Sequence, residues 1–424
     1  MKKLLASVGL VAAVVFPGVL FGIADASAFA HDWPQFRGPD GQGHAAGQGL
    51  PLKWSETQNV AWKVPVAGRG WSSPAVTGKQ IWLTTALDDG RHLRTIALRA
   101  TDGSVLHDVE VFAKSDPGSI HSKNSHASPT PYIDGDRVYV HFGAHGTACL
   151  TTAGEIVWKT DVLHYNHQHG PGGSPVVWND LVIVNCDGTD VQFVAALDKQ
   201  TGDVRWKRDR QHISEARRTG KNIAPMAYST PLLIEAAGRD QLVSAGSDHV
   251  AAYDPATGEE IWWAAYDGYS NIPRPVLGHG LVFVSSGYGA PTLYAIGVDG
   301  RGDVTGSKVA WTMKRGAPLS PSPLLVGDEL YVISDAGILN CVDARTGKRH
   351  YQERLGGSFS ASPILADGRI YLLDEDGTTT VVKPGHKFEK LATNRVDGRT
   401  LASLAVADGA IFLRTDSHLY RIER

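Results

Sequence analysis

The feature that most constrains this chain is a repeated ending, Ala-x-Asp-x-x-Thr-Gly-x-x-x-Trp. It runs from Ala196 to Trp206, recurs from Ala252 to Trp262, and is weaker at 154–158 and 346–351. A second mark recurs with it, a proline at the head of an apolar run: Pro74, Pro129, Pro175, Pro231, Pro275, Pro323 and Pro363, at spacings of 55, 46, 56, 44, 48 and 40 residues. Six of these seven prolines follow Ser or Thr, and the seventh follows Arg274. Between the two marks, residues 172–206 read as four short strands. The segments 174–178, 181–185, 192–197 and 204–207 are separated by Asn179-Asp180, the polar loop 186–190 and the turn 198–202. Runs this short, bounded by Asn, Asp and Gly, are antiparallel strands. One such sheet cannot bury both faces, and repetition every 40–50 residues or so supplies the missing partners. That is the sequence signature of a β-propeller.

The ends of the chain complete the count. Residues 59–64 (NVAWKV) read as the last strand of a unit, with Trp62 in the closing position and no first three strands before it. Residues 401–407, 411–414 and 419–422 read as a unit lacking its fourth strand. Joining them leaves no open sheet edge. The expectation is an all-β fold: an eight-bladed β-propeller of four-stranded antiparallel blades, the last blade closed by the N-terminal strand. Residues 59–424 then form one propeller domain.

Ahead of it, residues 1–30 carry Lys2 and Lys3, an apolar run from Leu4 to Ile23 and the small-residue ending Ala28-Phe29-Ala30. This is read as a secretory signal peptide cleaved before His31, with an uncleaved membrane anchor as the alternative. Residues 31–58 are polar and Gly-rich and contain Trp33 and Phe36; they read as an ordered arm lying on the fold. A formal net charge of -3 argues against a nucleic-acid partner. Three cysteines make no disulfide framework. Cys149 and Cys186 fall in adjacent repeats, and both a pair and two buried thiols are open.

Strand order within a blade separates two faces. One carries minimal turns such as Gly78-Lys79, Asp134-Gly135 and Asp408-Gly409; the other carries the long segments 114–127, 161–173, 210–228 and 286–291. Long loops on a rigid scaffold are where binding sits. The same face collects seven of the 17 histidines between residues 121 and 169. Of these, His126, His145, His164, His167 and His169 are expected to converge at one sector of the funnel mouth, between blades two and three. Imidazoles are good ligands for zinc or copper. The competing reading has each ring bonded to its own loop backbone. No helical HExxH or CxxC frame, nucleophile elbow or phosphate-binding loop occurs. A basic run from Arg205 to Lys221 reads either as an anion-binding lip or as a solvated loop.

The Thr-Gly-x-x-x-Trp endings, the Ser-Pro heads and the eight units resemble the pyrroloquinoline-quinone (PQQ)-like propeller repeat family over about residues 59–424. The opening Asp32-Trp33-Pro34-Gln35-Phe36-Arg37-Gly38-Pro39 resembles its exported bacterial members. The resemblance implies the fold and leaves two functional classes: quinoprotein alcohol and glucose dehydrogenases, and the non-catalytic propeller of the outer-membrane barrel-assembly machine. Dehydrogenases of this type are much longer and carry a vicinal Cys-Cys pair over the quinone, whereas the three cysteines here are far apart. The barrel-assembly propeller is lipid-anchored, and this chain has no Cys for that. The expectation is an exported, non-enzymatic binding or scaffold protein of the cell envelope, monomeric and periplasmic or secreted. Its partner would be an envelope protein or a carbohydrate, with no bound PQQ and no assigned catalytic or cofactor-binding residue. The alternative is a metal- or quinone-dependent periplasmic oxidoreductase using the histidine cluster.

Overall fold

Two-residue turns set the pitch of the structure. At Asp367-Gly368 and Asp408-Gly409 both residues take left-handed φ, at 49° and 68° and at 48° and 67°. Such turns match the twist of the strands they join. The computed structural model describes residues 32–46, 49–219 and 224–424. The signal-peptide reading of residues 1–30 lies outside the described residues. Eight antiparallel sheets follow one another around a ring. Seven span residues 75–113, 132–160, 176–209, 232–265, 276–313, 324–354 and 364–395. The eighth joins Ala405–Ala407, Ala410–Arg414 and His418–Ile422 to the N-terminal strand Val60–Pro65, which pairs antiparallel with His418–Ile422. The ring is thus closed by strand exchange between the two ends of the chain.

The core lies between blades. Val176, Ile183, Val194 and Ala196 of blade three pack on Leu242, Ala251 and Tyr253 of blade four, all almost fully buried. Neighbouring sheets bury one another's faces in this way around the ring. Cys149 and Cys186 belong to one such layer and Cys341 to another, and all three are buried free thiols.

The closing Trp acts between blades at four positions, whereas Trp262 donates to Gln241 Oε1 of its own blade (2.8 Å). Trp206 pairs across the sheet with Ala196, and the ladder slips by one residue beside it. Its Nε1–H donates to the Pro255 carbonyl of the next blade (3.0 Å). A Cβ on Gly258 would lie 2.6 Å from the Trp206 ring, and Gly258 has φ +70°, so the motif glycine is required by both contact and conformation. Trp158 does the same against Gly202 and Lys199, Trp311 against Gly347 and Ala344, and Trp62 against Gly103 and Ala100. Each Trp therefore seals the outer seam to the following blade, and Trp62 seals blade eight to blade one. Blade five keeps a Thr-Gly, Thr305-Gly306, but reaches it through a longer loop and has one extra residue before Trp311. Its longer loop lays Gly302–Asp303 beside Glu260–Ala265 as a parallel fifth strand on blade four.

Residues 32–46 cross the face that carries the short turns. Trp33 exchanges backbone hydrogen bonds with Val76 of blade one, and Pro34 accepts one from Ile133 of blade two (2.8 Å each). Gln42 accepts from the Leu277 N–H of blade five, and Gly43 and Ala45 pair with Leu365 of blade seven. Among the described residues no helix is long and apolar enough to cross a membrane.

Candidate functional site

The Ser/Thr-Pro heads build the axis of the ring, in blade two through Thr130-Pro131 rather than the Ser128-Pro129 expected from the sequence. The Ser73 N–H donates to Thr130 Oγ1, Thr130 N–H to Ser174 Oγ, and Ser174 N–H to Thr230 Oγ1, at 2.9–3.0 Å. The belt resumes from Arg274 N–H to Ser322 Oγ, continues through Ser362 and Ser403, and closes on Ser73 Oγ. One hydroxyl from every blade but the fifth thus satisfies a backbone donor of the blade before it, tying inner strands that have no ladder to each other. The one break falls at Arg274. Its guanidinium reaches the Phe36 carbonyl (2.7 Å), the Pro231 carbonyl and Gln35 of the crossing segment. Arg37 enters beside it, fully buried, and bonds the Pro323 and Gln42 carbonyls at 2.6 Å. The short-turn end of the axis is therefore plugged, with Phe36 against the funnel.

The other end opens as a cavity of about 310 Å³. Two residues before each belt position, on the same side of the extended segment, stands a second tier that differs by sector. Trp71 and Leu401 mark blades one and eight, and Tyr228 and Ile272 mark blades four and five opposite them. Ser128 and Gly172 mark blades two and three, with Ser320 and Ser360 facing them from blades six and seven. Tyr269 and Tyr288 extend the aromatic arc outward. Residues 114–127 pass over the mouth. Lys123 Nζ contacts Glu375 Oε1 (2.7 Å), and the Ser122 carbonyl accepts from Arg69 and Arg399. Lys123 is the one charged side chain in the described lining, and Glu375 neutralises it.

The five histidines nominated from the sequence divide. His126, His145 and His167 come together, with ring centroids 6.0 Å and 4.8 Å apart along the series. His141, which the sequence reading left out, joins them: its protonation disfavours that of His167. His169 stands apart at the funnel, 5.5 Å from His121. His164 is exposed. The clustered rings are bonded to their own surroundings. His145 Nε2–H donates to the Pro117 carbonyl (3.0 Å), His167 Nδ1 accepts the Ala144 N–H (3.2 Å), and His141 Nδ1 meets Thr147 Oγ1 (2.8 Å). Among the described residues, no group of three or more His, Cys, Asp or Glu side chains is arranged to hold a metal ion. Burial pushes His141 and His167 down to about 3 and His145 down to about 4, with neighbouring imidazoles adding to the effect. These rings are neutral at pH 7. The basic stretch is largely paired: Arg210 is buried against Asp187, and Arg217 binds Asp248 and Asp267.

The family described as outer membrane protein assembly factor BamB matches residues 45–185, 115–300 and 297–386. BamB from Moraxella catarrhalis has a similar structure: TM-score 0.58, 14% identity, covering 86% of this chain and 97% of that one. So does the quinohemoprotein alcohol dehydrogenase from Comamonas testosteroni, with TM-score 0.66 and 11% identity over 93% of this chain and 81% of that one. At these identities the likeness is one of fold. A tetrathionate hydrolase of Acidithiobacillus ferrooxidans is 25% identical over 266 residues, which are 57% of this chain and 48% of that protein, so the match spans about half of the relative's length. By its sequence match and its eight-bladed ring, the chain belongs to the PQQ-like β-propeller family described as outer membrane protein assembly factor BamB.

Proposed function

We propose that the protein is an exported, non-enzymatic binding or scaffold protein of the cell envelope that works through its crossover face. One observation carries the reading: the ring axis is plugged at one end and opens at the other as a lined funnel under long loops. Concave sites with aromatic walls and a few placed polar groups are binding sites by default. The likeness to BamB supports an envelope partner. A photoreactive residue at Lys114 or Tyr288, on the crossover face, is expected to form adducts in intact envelopes. The same residue at Asp136 or Asp408, on the short-turn face, is expected to form none. Adducts from the second pair alone would reverse the assignment of faces.

The oxidoreductase reading draws on the alcohol dehydrogenase and tetrathionate hydrolase likenesses. The described lining does not fit PQQ, a tricarboxylate. The one lining cation is paired with Glu375, the lining holds no carboxylate to bind a calcium ion, and the three thiols are buried in the blades. Calorimetric titration with PQQ and calcium is expected to give no dissociation constant of 1 μM or tighter, about -8 kcal/mol. A constant in that range would replace the scaffold reading with the oxidoreductase one.

A further inference from the structure

The funnel itself carries information about what it takes. Its second tier is not eightfold. Apolar side chains fill two opposed arcs, Trp71 with Leu401 and Tyr228 with Ile272, while small or hydroxyl-bearing positions fill the two arcs between them. That is a slot: two apolar walls and two polar edges. Below it lies the belt, where each hydroxyl oxygen already accepts a backbone N–H. Accepting that bond leaves the hydroxyl's own proton to donate and strengthens it as a donor. Ser73, Thr130, Ser174 and Thr230 therefore offer O–H donors to an occupant. Trp71, 7% exposed, lines the cavity beside them. Asn124 at the mouth is spent on the His169 and Pro171 carbonyls, so it fixes the loops rather than the ligand.

Charge narrows the class. An anion would meet no unpaired cation in this lining, and a cation would meet no free carboxylate. A flat apolar ligand would leave the belt hydroxyls unanswered. What matches is a neutral ring with apolar faces and an acceptor-rich rim. We infer that the funnel binds a neutral saccharide, a pyranose lying between the Trp71 and Tyr228 walls with its ring and hydroxyl oxygens toward the belt. The cavity of about 310 Å³ is at the small end of ligand pockets and suits one or two sugar rings. The inference rests on the proposed binding role and names its ligand.

The test titrates the full chain with neutral mono- and disaccharides, following tryptophan fluorescence and heat. Saturable binding with an affinity unchanged between low and high salt is expected, since no charge pair forms. Tyr228→Ser removes one wall, and Ser320→Ala removes a polar edge by deleting a single oxygen atom. Each is expected to weaken binding about tenfold, with thermal melts confirming that the variants fold. Three results would overturn the inference: no neutral saccharide titrates, the affinity falls steeply with salt, or both variants bind like the parent. Crossover-face adducts that persist in those cases leave the binding role standing and remove only the saccharide.

Discussion

Deleting residues 60–65 is expected to cost the protein most of its stability and make it associate. The strand is the sole β-partner of the outer edge of His418–Ile422. It brings Val60, Trp62 and Val64 onto the largest core cluster, and Trp62 holds the seam to blade one through the Ala100 carbonyl (3.1 Å) and Gly103. Lys63 also binds Glu56, whose other oxygen accepts the Tyr420 hydroxyl. Truncating a fully buried Trp costs about 3–5 kcal/mol. Trp62 is only partly buried, so Trp62→Ala is expected near the low end, about 2–3 kcal/mol. The deletion adds the lost ladder and an exposed strand edge, which templates association. Its total approaches the roughly 5–15 kcal/mol available to a typical domain. Denaturant unfolding with gel filtration decides. A deleted chain that stays monomeric with an unchanged midpoint would refute closure by the N-terminal strand. Because Asn59 accepts a hydrogen bond from the Glu423 N–H, the two ends adjoin. Attaching the strand after Arg424 through a short linker is expected to restore the midpoint.

The second large effect is acid lability. His141, His145 and His167 are buried and neutral, with folded-state pKa values near 3, 4 and 3. In the unfolded chain a histidine titrates near 6.5. Between those values the unfolded state binds protons that the folded state refuses, so stability falls as pH drops from about 6.5 toward 4. At pH 4.5 this amounts to about 2–3 kcal/mol for each ring. His126 shifts in the same direction, through burial and the nearby Arg69, with Asp89 opposing. Lys114 adds to the effect at His145, and Asp116 opposes it. His141 Nε2 and His126 Nδ1 meet no hydrogen-bond partner, so a proton there would be a buried, unanswered charge. Melting temperatures from pH 7.5 to 4.5 should fall steeply in the parent and distinctly less in His141→Gln and His167→Asn. Equal slopes in all three would show that these rings do not carry the acid response.

The His cluster also marks where sequence reading reached its limit. The loops that converge were readable, because strand direction assigns every crossover to one face and blade order assigns a sector. Which rings meet was not. His167 and His169 are two residues apart, so the extended-chain rule places them on one side. The turn at Gly170, whose N–H bonds the His167 carbonyl at 2.6 Å, instead sends one ring to the buried cluster and the other to the funnel. His141 ends a strand and reads as an ordinary pleat position, yet its inward ring completes the cluster.

The sequence by itself determined the number of blades, their strand order and the closing partner, because each is dictated by short-range periodicity and turn chemistry. The Thr-Gly and Trp of the repeat were visible as marks, and so were the Ser/Thr-Pro heads with their exception at Arg274. Their purpose was decided only by the tertiary structure. Trp206 bonds Pro255, 49 residues away, and Ser403 donates to Ser73 across 330 residues. The Arg274 side chain leaves the belt to hold Gln35, 239 residues earlier. Trp311 escaped the motif because the loop carrying Gly302–Asp303 is inserted ahead of Thr305-Gly306 and stretches the spacing, yet the same docking on Gly347 results. A local pattern fixes the backbone of one blade. The partner of a side chain that leaves its blade is fixed only once the ring has closed and set that blade beside its neighbours.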